Sequence, residues 1–425
     1  MNYTLAHAIL RQLRMTSDNV PLTAGIWKSF DEREWDSTLT WLDLSGLAVY
    51  FHQRLKISSS LEELPQQVRQ RLDRCAVDNS IRADAIVKEL KILCARFTSA
   101  GVRYAVLKGI ALLPDYCPSP SLRTQYDHDV LVHPSCLAMT DQILREEGYY
   151  QKNLKTDHPH LYCLPDPEIR FAATSEALYS SKLARSVEIH LRLWESEEDK
   201  IDIQLPGDLF ERSVQRQWDG FDYVALSDED CLVFQVLHAF RHILRNWCRL
   251  SIFLEISYFL KQRFSDLAFW TRFAERIESM RWAPEATSVV FGLAELLFGA
   301  SIPPQIQPKL TTPLSPALRL WNERYGRKAA LTNFRNDKSS LFLYREFVDD
   351  ASAWSGIWHR RLFPVRRPHR PPAIVFQRGF SYSGRLWMES VHAFRRLKFH
   401  SLSGIWYAFE YPRWILRRRM SLERN

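Results

Sequence analysis

No stretch of this 425-residue chain offers the roughly 18 uncharged apolar residues that a membrane-spanning helix needs. The best run, Ala286 to Ala300, is short and carries Glu295. Residues Met1 to Ser17 lack the apolar block of a secretory signal, so a cytosolic protein is expected, either free or peripheral to a membrane. Glycine is scarce at 14 residues, which excludes collagen-like and low-complexity classes. The seven cysteines are odd in number and include no C-x-x-C pair, which speaks against a disulfide framework or a structural zinc knuckle. There is no G-x-x-x-x-G-K-S/T and no strand-linked G-x-G-x-x-G, so P-loop and Rossmann chemistry have no support. The Gly379 to Gly384 stretch does not supply a G-x-S-x-G nucleophile elbow.

What is present is a hydrophobic fraction of 46% and a length beyond that of a single ordinary core, so two or three packed units are expected. The net charge of +8 is unevenly placed. Residues 351–425 hold fifteen Arg or Lys against Glu389, Glu410 and Glu423, a segment charge of +12 that leaves the first 350 residues at −4. That tail also carries fourteen of the 54 aromatics, with Trp354, Trp358, Trp387, Trp406 and Trp414 among Arg360, Arg361, Arg366, Arg367 and Arg417 to Arg419. Such a composition suits an anionic lipid surface or nucleic acid. It equally suits a helical layer whose Arg stems pack onto an acidic body.

Apolar spacing predicts helices over Trp35 to Leu55 and Leu61 to Ala100. From Gly101 the pattern becomes β-like at Val102–Leu107, His128–His133, Glu168–Ala173 and Ser186–Trp194, with a helix over Pro134–Gly148. Helices return at Ser227-Asp-Glu-Asp230, a capped start to one long apolar run through Leu260. Pro303 and Pro304 end the helical stretch, another helix-like block follows from Ser315, and Pro364–Pro372 sets off the basic tail.

The chemistry centres on Leu107-Lys108-Gly109 and on Arg123 through Val132. On a strand, Asp127 and Asp129 project from one face, because side chains alternate with period two. Two adjacent carboxylates are unfavourable unless they share a proton or cation, and oxygen ligands suit Mg²⁺ or Mn²⁺. Glu188, on an alternating strand some sixty residues on, would complete the set. Gly109 lets phosphates approach the backbone, which suggests a nucleoside triphosphate. His190 shares the face of Glu188, so acceptor positioning, proton transfer and a core role all stay open for it. His238 and His242 lie one helical turn apart but lack the Glu of a zinc-peptidase helix, so a cleft role is favoured. His158-Pro-His160 is expected to be a polar loop.

The ordered blocks Leu107-Lys108-Gly109, Arg123 with Asp127, Asp129 and Leu131-Val132, Val187-Glu188-Ile189-His190, and His238 with His242 resemble the uncharacterised nucleotidyltransferase family, a branch of the DNA polymerase β-like superfamily. Trp35, the Leu44–Leu55 run and Arg361-Leu-Phe-Pro364 extend the resemblance over most of the chain. His128 stands where that family has an aliphatic residue, and Glu188 where Asp is common. The resemblance implies an α+β fold, with a mixed-sheet nucleotidyltransferase core at 101–225 between an N-terminal helical segment (1–100) and a C-terminal helical domain (226–350), followed by the tail (351–425). It implies catalysis and metal binding by Asp127, Asp129 and Glu188, and nucleotide binding by Lys108, Gly109 and Arg123. Mg²⁺ or Mn²⁺ would be the cofactor and an NTP the donor. The acceptor, whether small molecule, glycan, peptide or protein, stays open, as does the oligomeric state. The competing readings are a catalytically silent nucleotide-binding assembly partner and a protein acting on nucleic acid or a membrane surface through its tail.

Overall fold

The computed structural model describes residues 2–15, 25–153, 159–165, 174–311, 314–332, 338–363 and 382–423. The expected strand at Glu168–Ala173, His158 and the Pro364–Pro372 spacer lie outside them. The N-terminal helices are α1 (Tyr3–Gln12), α2 (Glu32–Ser45), α3 (Ala48–Ile57) and α4 (Gln66–Ser99). Helix α2 opens on a capping box in which Asp31 accepts from the Glu34 amide and Glu34 reaches back to the Asp31 amide. Next come β1 (Tyr104–Val106), β2 (Asp127–Val132), α5 (Leu137–Glu146), β3 (Tyr150–Gln151), β4 (His160–Cys163), β5 (Ser186–His190), the single turn α6 (Ser196–Asp199), β6 (Val214–Trp218) and β7 (Phe221–Ala225). The C-terminal half holds α7 (Asp228–Leu244), α8 (Leu250–Gln262), α9 (Leu267–Glu278), α10 (Ala283–Phe298), α11 (Gln307–Thr311), α12 (Pro316–Trp321), α13 (Arg327–Leu331), α14 (Ser340–Phe347), α15 (Ala351–Leu362) and α16 (Tyr382–Glu423).

The strands form one mixed seven-stranded sheet in the order β3-β4-β5-β2-β1-β7-β6. Strand β2 lies centrally, antiparallel to β1 and parallel to β5, and β1 in turn is parallel to β7. With helices before and after it, the fold is α+β, a mixed sheet flanked by helical regions. One large apolar cluster runs from Leu5 to Trp414, and a small second one is centred on Leu178 and Leu183.

Three expectations are corrected. The run from Ser227 to Leu260 is two helices rather than one: Asn246 takes a left-handed conformation (φ 59°) between α7 and α8, which a short amide side chain tolerates. The expected strand over Ser186–Trp194 stops at His190, and Trp194 instead packs against Phe240 with its indole N–H donating to the Ile201 carbonyl at 2.9 Å. His160 is no loop residue. It opens β4, is buried, and sits 3.2 Å from the Gln151 amide, because Leu161 pairs in register with Glu188 and carries the chain into the sheet.

No helix among the described residues is long and apolar enough to cross a membrane.

Candidate active site

Strand pairing brings the two acidic blocks together. In the parallel register of β2 and β5, Asp127 stands opposite Ser186, Asp129 opposite Glu188 and Leu131 opposite His190. Alternation therefore puts Asp127, Asp129, Glu188 and His190 on one sheet face. His128 points to the other face, where it is buried against α4 with Nε2 2.8 Å from Glu89 Oε2.

Asp129 is the hub. Its Oδ1 accepts from Lys108 Nζ at 2.9 Å and lies 3.0 Å from His190 Nε2, and its side chain is 1% exposed. Its other oxygen, Oδ2, is buried with no hydrogen-bond partner among the described residues. An orphaned anionic oxygen in a buried place is expensive unless a cation shares it. Asp129, Glu188 and His190 each present a ligand atom within 4.8 Å of the others, an arrangement no other trio of His, Cys, Asp or Glu reaches among the described residues. The two carboxylates suit Mg²⁺ or Mn²⁺, whereas an imidazole ligand suits softer ions such as Zn²⁺ or Fe²⁺, so the set fits a divalent ion with His190 able to stay a partner of Asp129 rather than a ligand.

Charges here oppose burial in sequence. Burial pushes Asp129 up, yet Lys108 and His190 outweigh it and hold the carboxyl far below its ordinary range. Asp127, half-buried, is raised by burial and then by the charge of Asp129, against the pull of Lys108, Arg123 and Arg249. For Lys108, burial acts downward, and Asp129, Asp127 and Glu188 together reverse it, so the ammonium keeps its proton.

Gly109 turns the chain at φ +66° into the 3₁₀ turn Gly109–Leu112, and a Cβ there would come within 2.7 Å of Gln125 Oε1. Gln125 in turn donates to the Asp127 carbonyl at 2.6 Å, so the Lys108-Gly109 corner and β2 are locked together. Gly109→Ala should lower stability by about 1–2 kcal/mol from the left-handed backbone alone, with added displacement of Gln125, readable in urea unfolding.

Arg123 is half-buried and donates through Nε to Glu255 Oε1 at 3.2 Å, an oxygen that also accepts from Tyr50 at 3.1 Å. Neither Glu255 nor Arg249 figures in the sequence reading. Glu255 is the single acid in the apolar run Leu250–Leu260, and that isolation was its signal. Arg249 donates to the Thr124 carbonyl and lies over the Tyr126 ring at 4.9 Å, at the entry to β2, and no local pattern marks it.

On α7, Phe234, His238 and His242 form a ring ladder with centroids 5.9 and 4.5 Å apart, and Lys108 Nζ lies 6.0 Å from the Phe234 centroid. Burial, then the charge of Lys108, drives His238 well below its usual range. Burial likewise takes His242 down to about 3, against a hydrogen bond to the Trp247 carbonyl. Both rings are thus neutral at pH 7. The unfolded chain takes up these protons below pH 6.5 and the folded protein does not, so stability is complete above 6.5 and falls on acidification toward pH 3. Thermal melts between pH 6.5 and 5, where most carboxylates are still ionised, should show a decline of about 1 kcal/mol per unit after screening, flatter in His242→Gln.

The profile of the uncharacterised nucleotidyltransferase family matches residues 31–299. The chain belongs to that family. It is a nucleotidyltransferase by descent, and the matched region contains the whole sheet and every residue of the Asp129 cluster. No curated protein and no solved structure matches it.

Proposed function

We propose that the chain moves a nucleoside monophosphate from an NTP to an acceptor hydroxyl or phosphate and releases pyrophosphate, with a polymerase β-like arrangement of Asp127, Asp129 and Glu188. The observation that carries this reading is Asp129, in register with Glu188 across β2 and β5, with one oxygen held by Lys108 and His190 and the other buried without a partner.

A Mg²⁺ or Mn²⁺ held by Asp129 and Glu188, with Asp127 outside that tight cluster but on the same sheet face, would supply Lewis-acid stabilisation of charge on the transferring phosphoryl group. The protein's own side chains do the rest. Lys108, kept protonated by three carboxylates, offsets phosphate charge beside Asp129. Gly109, with no Cβ, leaves the backbone at the corner after β1 open to a phosphate. His190 orients the Asp129 carboxylate through its 3.0 Å contact. The acceptor oxygen forms its bond to the α-phosphorus as the α–β anhydride bond breaks. For a hydroxyl acceptor the proton passes to Glu188, an ionised phosphate acceptor needs no base, and in both cases the electron pair of the broken P–O bond leaves with pyrophosphate.

Arg123 contributes a second cation, aimed by Glu255 and Tyr50. Glu255→Gln keeps the shape but removes the charge that holds the guanidinium. KM for the NTP should rise about tenfold, equivalent to ~1.4 kcal/mol, with kcat less affected, in initial-rate kinetics.

The test uses NTPs labelled at the α- or the γ-phosphate, incubated with the protein, Mn²⁺ and a pool of small-molecule and macromolecular acceptors. Transfer of α-label, with γ-label appearing as pyrophosphate, supports the reading. Transfer of γ-label would replace it with a kinase, and binding without transfer of either label would replace it with a nucleotide-binding assembly partner.

A further inference from the structure

Helix α16 runs 42 residues, about 63 Å at the usual rise, and only one side of it touches the body. Ser403, Tyr407, Glu410 and Trp414, spaced by four, three and four, form the buried side. There Trp414 stacks on Phe342 at 5.2 Å, Tyr325 donates to Glu410 at 2.8 Å, and Arg418 pairs with Glu346 at 2.9 Å. This side realises the layer in which Arg stems and aromatics pack on the body.

The opposite side is apolar and open. Trp387, Phe394, Ile405, Phe409, Leu416 and Met420 recur at spacings of seven, eleven, four, seven and four, which returns each to one stripe of a helix. All are exposed, Trp387 and Phe409 by 71% and 70%. Exposed cations Arg395, Lys398, Arg413 and Arg419 lie within or beside the stripe. Of the three acids on the helix, Glu410 is turned inward, where Tyr325, Arg413 and Arg417 engage it, and the exposed Glu423 lies in line with the stripe at the helix's last residue.

We infer that this outer face of α16 docks the protein onto an anionic lipid bilayer, with the stripe at the boundary between headgroups and acyl chains and the arginines at the phosphates. Bulky apolar side chains edged by cations, on a helix too polar to span, are what an interfacial helix presents. Charge selects the occupant. Residues 351–425 carry +12, so a second copy of the same face would bring like charges together, whereas an anionic surface attracts them. A continuous apolar stripe also favours lipid over nucleic acid, whose binding faces are dominated by phosphate contacts. This inference stands apart from the transfer chemistry.

The experiment is flotation of the full-length protein with vesicles of phosphatidylcholine alone or mixed with phosphatidylserine. Binding to the mixed vesicles at least about tenfold stronger than to phosphatidylcholine is expected, weakening as salt is added. The exposed pair Ile405→Glu and Phe409→Glu should lower that binding about tenfold or more at an unchanged melting temperature. Arg395→Glu with Arg419→Glu should act in the same direction while leaving the apolar stripe intact. Absence of binding to the mixed vesicles, equal binding to both lipids, or full binding by the Ile405→Glu, Phe409→Glu protein overturns the inference. So does a wild-type dimer in light scattering that this pair dissociates, or binding to single-stranded RNA tighter than to the mixed vesicles.

Discussion

Asp129→Asn should lower nucleotidyl transfer by on the order of 10³-fold while leaving the sheet assembled. Asparagine keeps the volume and one carbonyl oxygen but removes the charge on which Lys108 and His190 converge. Lys108 then loses the nearest of the carboxylates that offset its burial, so its ammonium becomes easier to deprotonate and the local field weakens. A moderate fall in stability of about 1–3 kcal/mol should accompany the kinetic loss, since a buried cation is left with a weaker partner. Single-turnover rates with circular dichroism separate the two effects. Asp127→Asn is the informative comparison: Asp127 is half-buried and has no part in holding Lys108 through a hydrogen bond, so its replacement should lower transfer with less effect on stability.

The largest effect on stability is expected at Arg82, which is fully buried in the middle of α4. Its Nε donates to the Gln125 carbonyl at 2.8 Å, and its Nη1 donates to the carbonyls of Ser180 and Leu183 at 2.8 and 3.1 Å. One guanidinium thereby ties the approach to β2 and the approach to β5 to the same helix, which sets the two strands that carry Asp129 and Glu188. Arg82→Met fills similar space but strands three carbonyl acceptors, two of them in buried contacts. At about 1–3 kcal/mol each, partly recovered by relaxation, the loss should reach ~3–5 kcal/mol in chemical unfolding. Arg82→Lys keeps the charge without the planar fork and should fall between.

Much of the acidic site is a local property and can be seen in the sequence. Period-two alternation alone puts Asp127 and Asp129 on one face and turns His128 away, and the same alternation joins Glu188 to His190. What brings Glu188 to Asp129 is strand pairing across some sixty residues, which no local pattern encodes. The hairpin β6–β7 is legible in the sequence: Asp219-Gly220, both at positive φ, joins two five-residue strands, the signature of a two-residue turn. Its parallel docking on β1 was not legible, because a single pairing, Val106 with Ala225, defines it over a long separation. No local sequence pattern marks Arg82 or Arg249. Only the converging carbonyls of Gln125, Ser180, Leu183 and Thr124 reveal them as clamps. In the basic tail one side of α16 packs on the body, as the reading of a helical layer expects, and the other side is exposed, a division that composition alone does not resolve.

Asp129 and its neighbours are proposed to hold a divalent ion together with an NTP. The most direct test is the melting temperature of the wild type and of Asp129→Asn across the four NTPs, each with and without Mn²⁺ or Mg²⁺, since a ligand bound only by the native state raises apparent stability. A rise is expected for at least one NTP, requiring both nucleotide and metal and absent from Asp129→Asn. An unchanged melting temperature of the wild type at saturating nucleotide and metal, or an equal rise in the variant, would contradict it.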